Sequence, residues 1–138
     1  MNRALWKLPV SATAIVRGPF FRVHPHRRCE ISFSIEGEAG GEEAIGLLFD
    51  GVETFKCTYL ASLGCIEHRL FREAYATLIS LEESAWLAAI KKARSEYYSK
   101  TSASQKEPQH LMICFDDGPC YEIICESFQA ITRASAID

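Results

Sequence analysis

A thiol and an imidazole lie three residues apart in Cys65-Ile66-Glu67-His68. On a helix that spacing places them one turn apart on a shared side. A thiolate beside an imidazolium is the arrangement of a nucleophilic cysteine. Cys65 and His68 are therefore the candidate catalytic pair, although no third residue is assigned to orient the imidazole. The ordinary role of such a pair is packing, or a surface contact of Glu67 and His68. His110 and Cys114 share one face of a strand, and with Cys65 and His68 they would complete a Cys2His2 zinc shell. Zinc sites are usually built from short paired spacings, and only one half of this set has one, so neither a metal nor a cofactor is expected.

Three further clusters carry weaker chemistry. His24-Pro25-His26 is a His-x-His pair able to bind a metal or respond to pH, but a proline-containing loop is more often simply exposed. Asp116-Asp117-Gly118, with Glu122 nearby, offers carboxylates for a hard cation. It lacks the alternating oxygen ligands of a calcium loop, and Asp-Gly is standard turn chemistry. Arg22, Arg27 and Arg28 lie among Phe20, Phe21 and two histidines, the one basic-aromatic cluster. Such interleaving can stack bases and neutralise phosphates, but the sequence pI of 5.8 speaks against nucleic acid. Asp116, Asp117, Arg27 and Arg28 are thus the residues expected to touch a ligand or partner.

The elements that would position these groups follow from periodicity. Arg28–Glu36 alternates, with Cys29, Ile31, Phe33 and Ile35 on one face and polar residues on the other, a half-buried strand. Val10–Arg17 runs up to Gly18-Pro19, a turn signal. Ile45, Leu47 and Phe49 share a face, as do Phe55, Cys57 and Tyr59, which predicts a hairpin over about 43–60. A two-residue turn at Asp50-Gly51 would mix the faces. Pairing Phe49 with Glu53 keeps them apart and makes a three-residue loop with Gly51 near a left-handed conformation. A second hairpin over about 110–128 pairs Phe115 with Tyr121 across a five-residue loop, Asp116–Cys120, in which Pro119 cannot donate to the ladder.

Ser80 and Glu83 have the spacing of a capping box. The stripe Trp86, Ala89, Ile90, Ala93 and Tyr97 predicts an amphipathic helix over about 81–99, with Lys91, Lys92 and Arg94 off the stripe. A shorter helix is expected near 65–74, followed by Tyr75–Ile79 as a strand or its continuation. Ser99–Gln109 is polar throughout and reads as a long loop. The class is α+β: a mainly antiparallel sheet built from hairpins and packed against these helices.

Length and composition suit one globular domain spanning 1–138, with 48% hydrophobic and 24% charged residues. No run reaches the roughly 18 apolar residues of a membrane span, so no membrane partner is expected. The net charge of −3 is unevenly spread. Arg3, Lys7, Arg17, Arg22, Arg27 and Arg28 occupy residues 1–28 without a single acid, and all eighteen acids lie beyond them. Such a segment matches a transit peptide in composition, whereas a secretory signal fits worse because Pro9, Ser11 and Thr13 interrupt its apolar run. The expectation is an integral basic strand lying on an acidic body, in a cytoplasmic protein. The six cysteines form no C-x-x-C pair and read as reduced core thiols.

The stretch from about 44 to 128 resembles a group of small uncharacterised bacterial domains. The residues that carry the likeness are Tyr75-x-x-Leu78, Ser84-x-Trp86-Leu87, and His110–Phe115 running into Asp116-Asp117-Gly118-Pro119-Cys120-Tyr121-Glu122. The resemblance implies a compact α+β protein, some relatives being immunity proteins encoded beside toxins. It carries over no catalytic residue. The expected function is a non-enzymatic protein-binding module, toxin-neutralising in its most specific form, with a basic protein as partner. The alternative is a small enzyme or a ligand- or metal-binding protein with its site near Cys65, His68 and the Asp116–Glu122 loop.

Overall fold

The computed structural model describes residues 2–59, 64, 66–99, 106–116 and 119–134. Among them the chain order is β1 (Arg3–Lys7), a 3-10 turn (Ala12–Ala14), β2 (Arg17–His24), β3 (Arg28–Glu36), β4 (Glu42–Asp50) and β5 (Thr54–Thr58). Then follow α1 (His68–Ala74), β6 (Thr77–Ser80), α2 (Ala85–Tyr98), β7 (Gln109–Cys114), β8 (Cys120–Cys125) and β9 (Ser127–Ala134). The strands form two antiparallel sheets, one in the order β1-β6-β7-β8-β5 and the other in the order β2-β3-β4-β9.

The two sheets stack face to face. Cys29, Ile31, Phe33 and Ile35 of β3 and Ile45, Leu47 and Phe49 of β4 meet Leu78, Leu111, Ile113, Tyr121, Ile123 and Cys125 of the other sheet in one buried cluster. The period-2 alternation creates this interface, because it delivers one apolar face per strand. The far side of the five-stranded sheet carries a second cluster: Ile79, Met112, Cys114 and Cys120 lie under Ala74, Leu70 and Phe71 of α1. Helices on one side of a sheet sandwich make the class α+β. No helix among the described residues is long and apolar enough to cross a membrane.

Several expectations change. β4 and β5 do not form a hairpin: β4 pairs with β3 and β9, and β5 pairs with β8. The chain crosses between sheets at Gly51–Glu53, with Gly51 at φ 65°. Here the Val52 amide donates to the Arg27 carbonyl and the Glu53 amide to that of Ile124. The second crossing, from β8 to β9, runs alongside, its Glu126 amide donating to the Asp50 carbonyl. Each crossing satisfies the other's backbone, which a plain hairpin would not do.

The β7–β8 hairpin has the predicted parity but pairs Ile113, not Phe115, with Tyr121, and Cys114 with Cys120. Its five-residue loop is therefore Phe115–Pro119, and residues 127–128 belong to β9 in the other sheet. The turn expected at Gly18-Pro19 is absent, since β2 runs through it. Gly18 is needed there, because at φ +99° a Cβ would sit 2.9 Å from the Ser32 carbonyl oxygen. The outer face of β3 is not wholly wet: Glu30 and Ser34 are buried, Glu30 beneath His24 and Ser34 beside Glu42.

The basic segment forms two strands, one in each sheet, rather than one. Its arginines meet acids of the body: Arg17 pairs with Glu42, Arg27 with Glu53 and Glu126, and Arg28 with Asp50.

Helix α2 is shorter than predicted and rotated. It begins at Ala85 with Ser84 as its cap, while Ser80 ends β6 opposite Arg3 and Leu111, so no Ser80–Glu83 capping box forms. Its buried residues are Leu87 and Arg94, whereas Tyr97 of the predicted stripe is 76% exposed. Arg94, 7% exposed, is held by Glu126 at 3.1 Å, Glu53 at 3.4 Å and the Lys106 carbonyl at 3.1 Å. A buried guanidinium needs such acceptors: Nη2 has both of its hydrogen bonds, while Nη1 faces Glu53 only as an ion pair and makes no hydrogen bond.

Candidate functional site

A buried polar constellation lies where the start of α2 crosses β7 and β8. Ser84 is in extended conformation (φ −140°, ψ 114°), and its Oγ accepts from the Leu87 amide at 2.9 Å, the geometry of a helix cap. The same Oγ lies 2.6 Å from His110 Nδ1, and His110 Nε2 lies 2.9 Å from Glu122 Oε1. Lys56 Nζ approaches the other Glu122 oxygen at 3.6 Å. Trp86 roofs the group, its ring edge-on to His110 at 5.1 Å and under Lys56 Nζ at 4.6 Å.

Strand register assembles this relay. Met112 stands opposite Glu122, and Lys56 stands opposite Glu122 on its other side, so β7, β8 and β5 present their polar side chains to one face. His110 and Glu122 are both buried. Burial alone would raise the Glu122 carboxyl, but the hydrogen bond to His110 and the Lys56 ammonium outweigh it and hold the carboxyl below its usual range. An ionised carboxylate only accepts, so Nε2 carries a proton. With neutral imidazole, Nδ1 then accepts from the Ser84 hydroxyl. Ser84, His110 and Glu122 thus form a continuous proton-ordered line with each donor matched to an acceptor.

No spacing in the sequence links these three residues as one group. The sequence places His110 with Cys114 as zinc ligands, and Glu122 with the aspartates. His110 and Glu122 are polar residues on the outer faces of β7 and β8, Ser84 is a helix cap, and only the pairing of strands reveals that they meet.

The sequence-predicted residues are scattered. His68 is exposed at the first position of α1, while Cys65 lies outside the described residues. Asp116 accepts from the Tyr75 hydroxyl at 2.7 Å, while Asp117 lies outside the described residues. Arg27 and Arg28 are internally paired, as above. His24 bonds Glu30 at 3.0 Å, and His26 sits in the following turn at φ 65°. Among the described residues no group of three or more His, Cys, Asp or Glu side chains is gathered to hold a metal.

A second feature lies on the opposite side of the five-stranded sheet. The outer edges of β2 and β5 carry no strand partner among the described residues. They meet where Phe21 contacts Phe55, with ring centroids 4.7 Å apart, and Phe21 stacks on Tyr121 at 5.4 Å. Val23 (65% exposed), Phe55 (43%) and Tyr59 (68%) line this seam. Arg22 beside it stacks over the half-exposed Phe20 ring at 6.0 Å. No family model, no curated protein and no solved structure matches this chain.

Proposed function

We propose that this chain is a non-enzymatic protein-binding module that docks through the β2–β5 seam. The observation that carries this reading is the exposure of Val23 on β2, Phe55 on β5 and Tyr59 just after it, beside two strand edges that carry no strand partner among the described residues. Exposed edges and contiguous apolar side chains are what proteins cover or blunt unless a partner uses them. Pro19 blunts the start of β2, which leaves Phe20–His24 and β5 as the usable edges. An extended partner segment with alternating apolar residues would add a strand there. The net charge of −3 favours long-range attraction of a basic partner. On the resemblance noted above, that partner would be a toxin, and binding would neutralise it.

The test is a pulldown from the native host at physiological salt, with wild type compared against a Val23→Asp/Phe55→Asp variant of unchanged melting temperature. A stoichiometric partner that binds the purified wild type and is lost by the variant supports the reading. Recovery of no such partner, or equal binding by both proteins, overturns it.

A second reading, a small hydrolytic enzyme, is favoured by the Ser84–His110–Glu122 line. His110 would take the Ser84 proton as general base while Glu122 holds the imidazole. The Leu87 amide, which donates to Oγ as the helix cap, would also stabilise the oxygen as its proton leaves for His110. A fluorophosphonate probe decides it: covalent labelling at Ser84, abolished by His110→Asn, supports hydrolysis, and an unlabelled folded protein removes it.

A further inference from the structure

We propose that Cys114 and Cys120 form a redox-reactive pair that closes into an intrachain disulfide at the end of the β7–β8 hairpin. They are direct cross-strand partners, both free, both fully buried, on the face covered by α1. Their place in the ladder is settled by the neighbouring bonds. The Phe115 amide donates to the Pro119 carbonyl at 3.2 Å, and the Cys114 carbonyl instead accepts from Ala76 on the other side. Hydrogen-bonded and non-hydrogen-bonded pairs alternate in an antiparallel ladder, so Cys114 and Cys120 occupy a non-hydrogen-bonded pair. Cα atoms in such pairs are about 4.5 Å apart, inside the roughly 4.4–6.8 Å that a disulfide spans. Closure therefore requires side-chain rotation and little backbone movement.

The chemistry is divided between the two sulfurs. They hydrogen-bond each other, which lowers the Cys120 thiol and raises that of Cys114. Cys120 is thus the more acidic thiol, the one that supplies the attacking thiolate, and Cys114 is the proton-bearing partner. With hydrogen peroxide as oxidant, the Cys120 thiolate attacks one oxygen, the O–O bond breaks, and hydroxide leaves a sulfenic acid on Cys120. Cys114 then attacks that sulfur, the S–O bond breaks, and water departs with the Cys114 proton. The pair loses two electrons, and peroxide is reduced to water once the hydroxide is protonated.

Access comes through α1. This helix has seven residues, and its N-cap residue, Glu67, makes no side-chain cap bond. Such a short helix depends on packing of Leu70 and Phe71 over the thiols and opens at low cost compared with the sheets. Cys57, exposed on β5, provides an internal comparison: a thiol with access but no cross-strand thiol partner.

The experiment treats the native full chain with hydrogen peroxide, quenches with acid, alkylates in denaturant and maps peptides without reduction. The expected result is a cross-linked peptide joining residues 114 and 120, loss of both alkylation adducts, and their return after dithiothreitol. In a Cys114→Ala variant, Cys120 should instead be trapped as sulfenic acid by dimedone. If that variant fails to fold, the wild-type map alone decides the matter. Oxidation confined to Cys57, or loss of adducts at 114 and 120 without a cross-link between them, overturns the proposal.

Discussion

A Cβ at Gly51 would lie 2.5 Å from Cδ of Glu126, so the glycine makes room for the carboxylate that neutralises buried Arg94. Gly51 sits on one crossing between the sheets and Glu126 on the other. A backbone requirement at residue 51 and a charge requirement at residue 94 are therefore the same requirement. Gly51→Ala is expected to cost about 1–2 kcal/mol from its positive φ alone, and more because Glu126 must shift. A double-mutant cycle with Arg94→Met checks the coupling. Non-additivity above about 0.5 kcal/mol is expected, and additive losses would mean the two sites are independent.

Ser84 serves both the helix and the relay. Ser84→Ala should lower stability by about 1–2 kcal/mol through the lost cap, and it also leaves His110 Nδ1 without its partner. Ser84→Asp keeps the cap acceptor but cannot donate to Nδ1 when ionised. Urea denaturation of both variants separates the roles: recovery by aspartate would assign most of the loss to the cap.

Glu122 is held below the usual carboxylate range in the folded protein, so its ionised form stabilises the fold. That contribution is fully present above the unfolded value of about 4.3 and is lost as pH falls through the lower folded value. Glu122→Gln should cost about 1.5–3 kcal/mol near neutrality. The gap from wild type should narrow below about pH 4. Urea midpoints measured from pH 7 down to pH 3 provide the check, and a gap constant with pH would contradict the assignment.

The sandwich interface should respond far more than the seam. Phe49 is fully buried between the sheets, and Phe49→Ala should cost about 3–5 kcal/mol. Val23→Ala, on the exposed edge, should fall within about 0.5 kcal/mol of wild type. Thermal melts of the two variants make the comparison, and a large loss at Val23 would mean the edge is covered.

Alternation alone determined β3, whose bounds agree with the 28–36 pattern, and the inward faces of β4, β7 and β8, because side-chain parity is a local property of a strand. It also placed Gly51 in a left-handed conformation and made the β7–β8 loop five residues long. Parity does not say which strand lies alongside. Ile45, Leu47 and Phe49 are buried equally well whether β4 pairs with β5 or with β3 and β9, and only the crossings through Arg27, Asp50 and Glu126 decide between them. The inward face of α2 was likewise beyond local reading, since Arg94 is buried only because Glu53 and Glu126 arrive from other elements to neutralise it. Ser84, His110 and Glu122 come from a helix cap and two strands. No spacing in the sequence encodes their meeting, because it is created by strand register and by the helix laid across it.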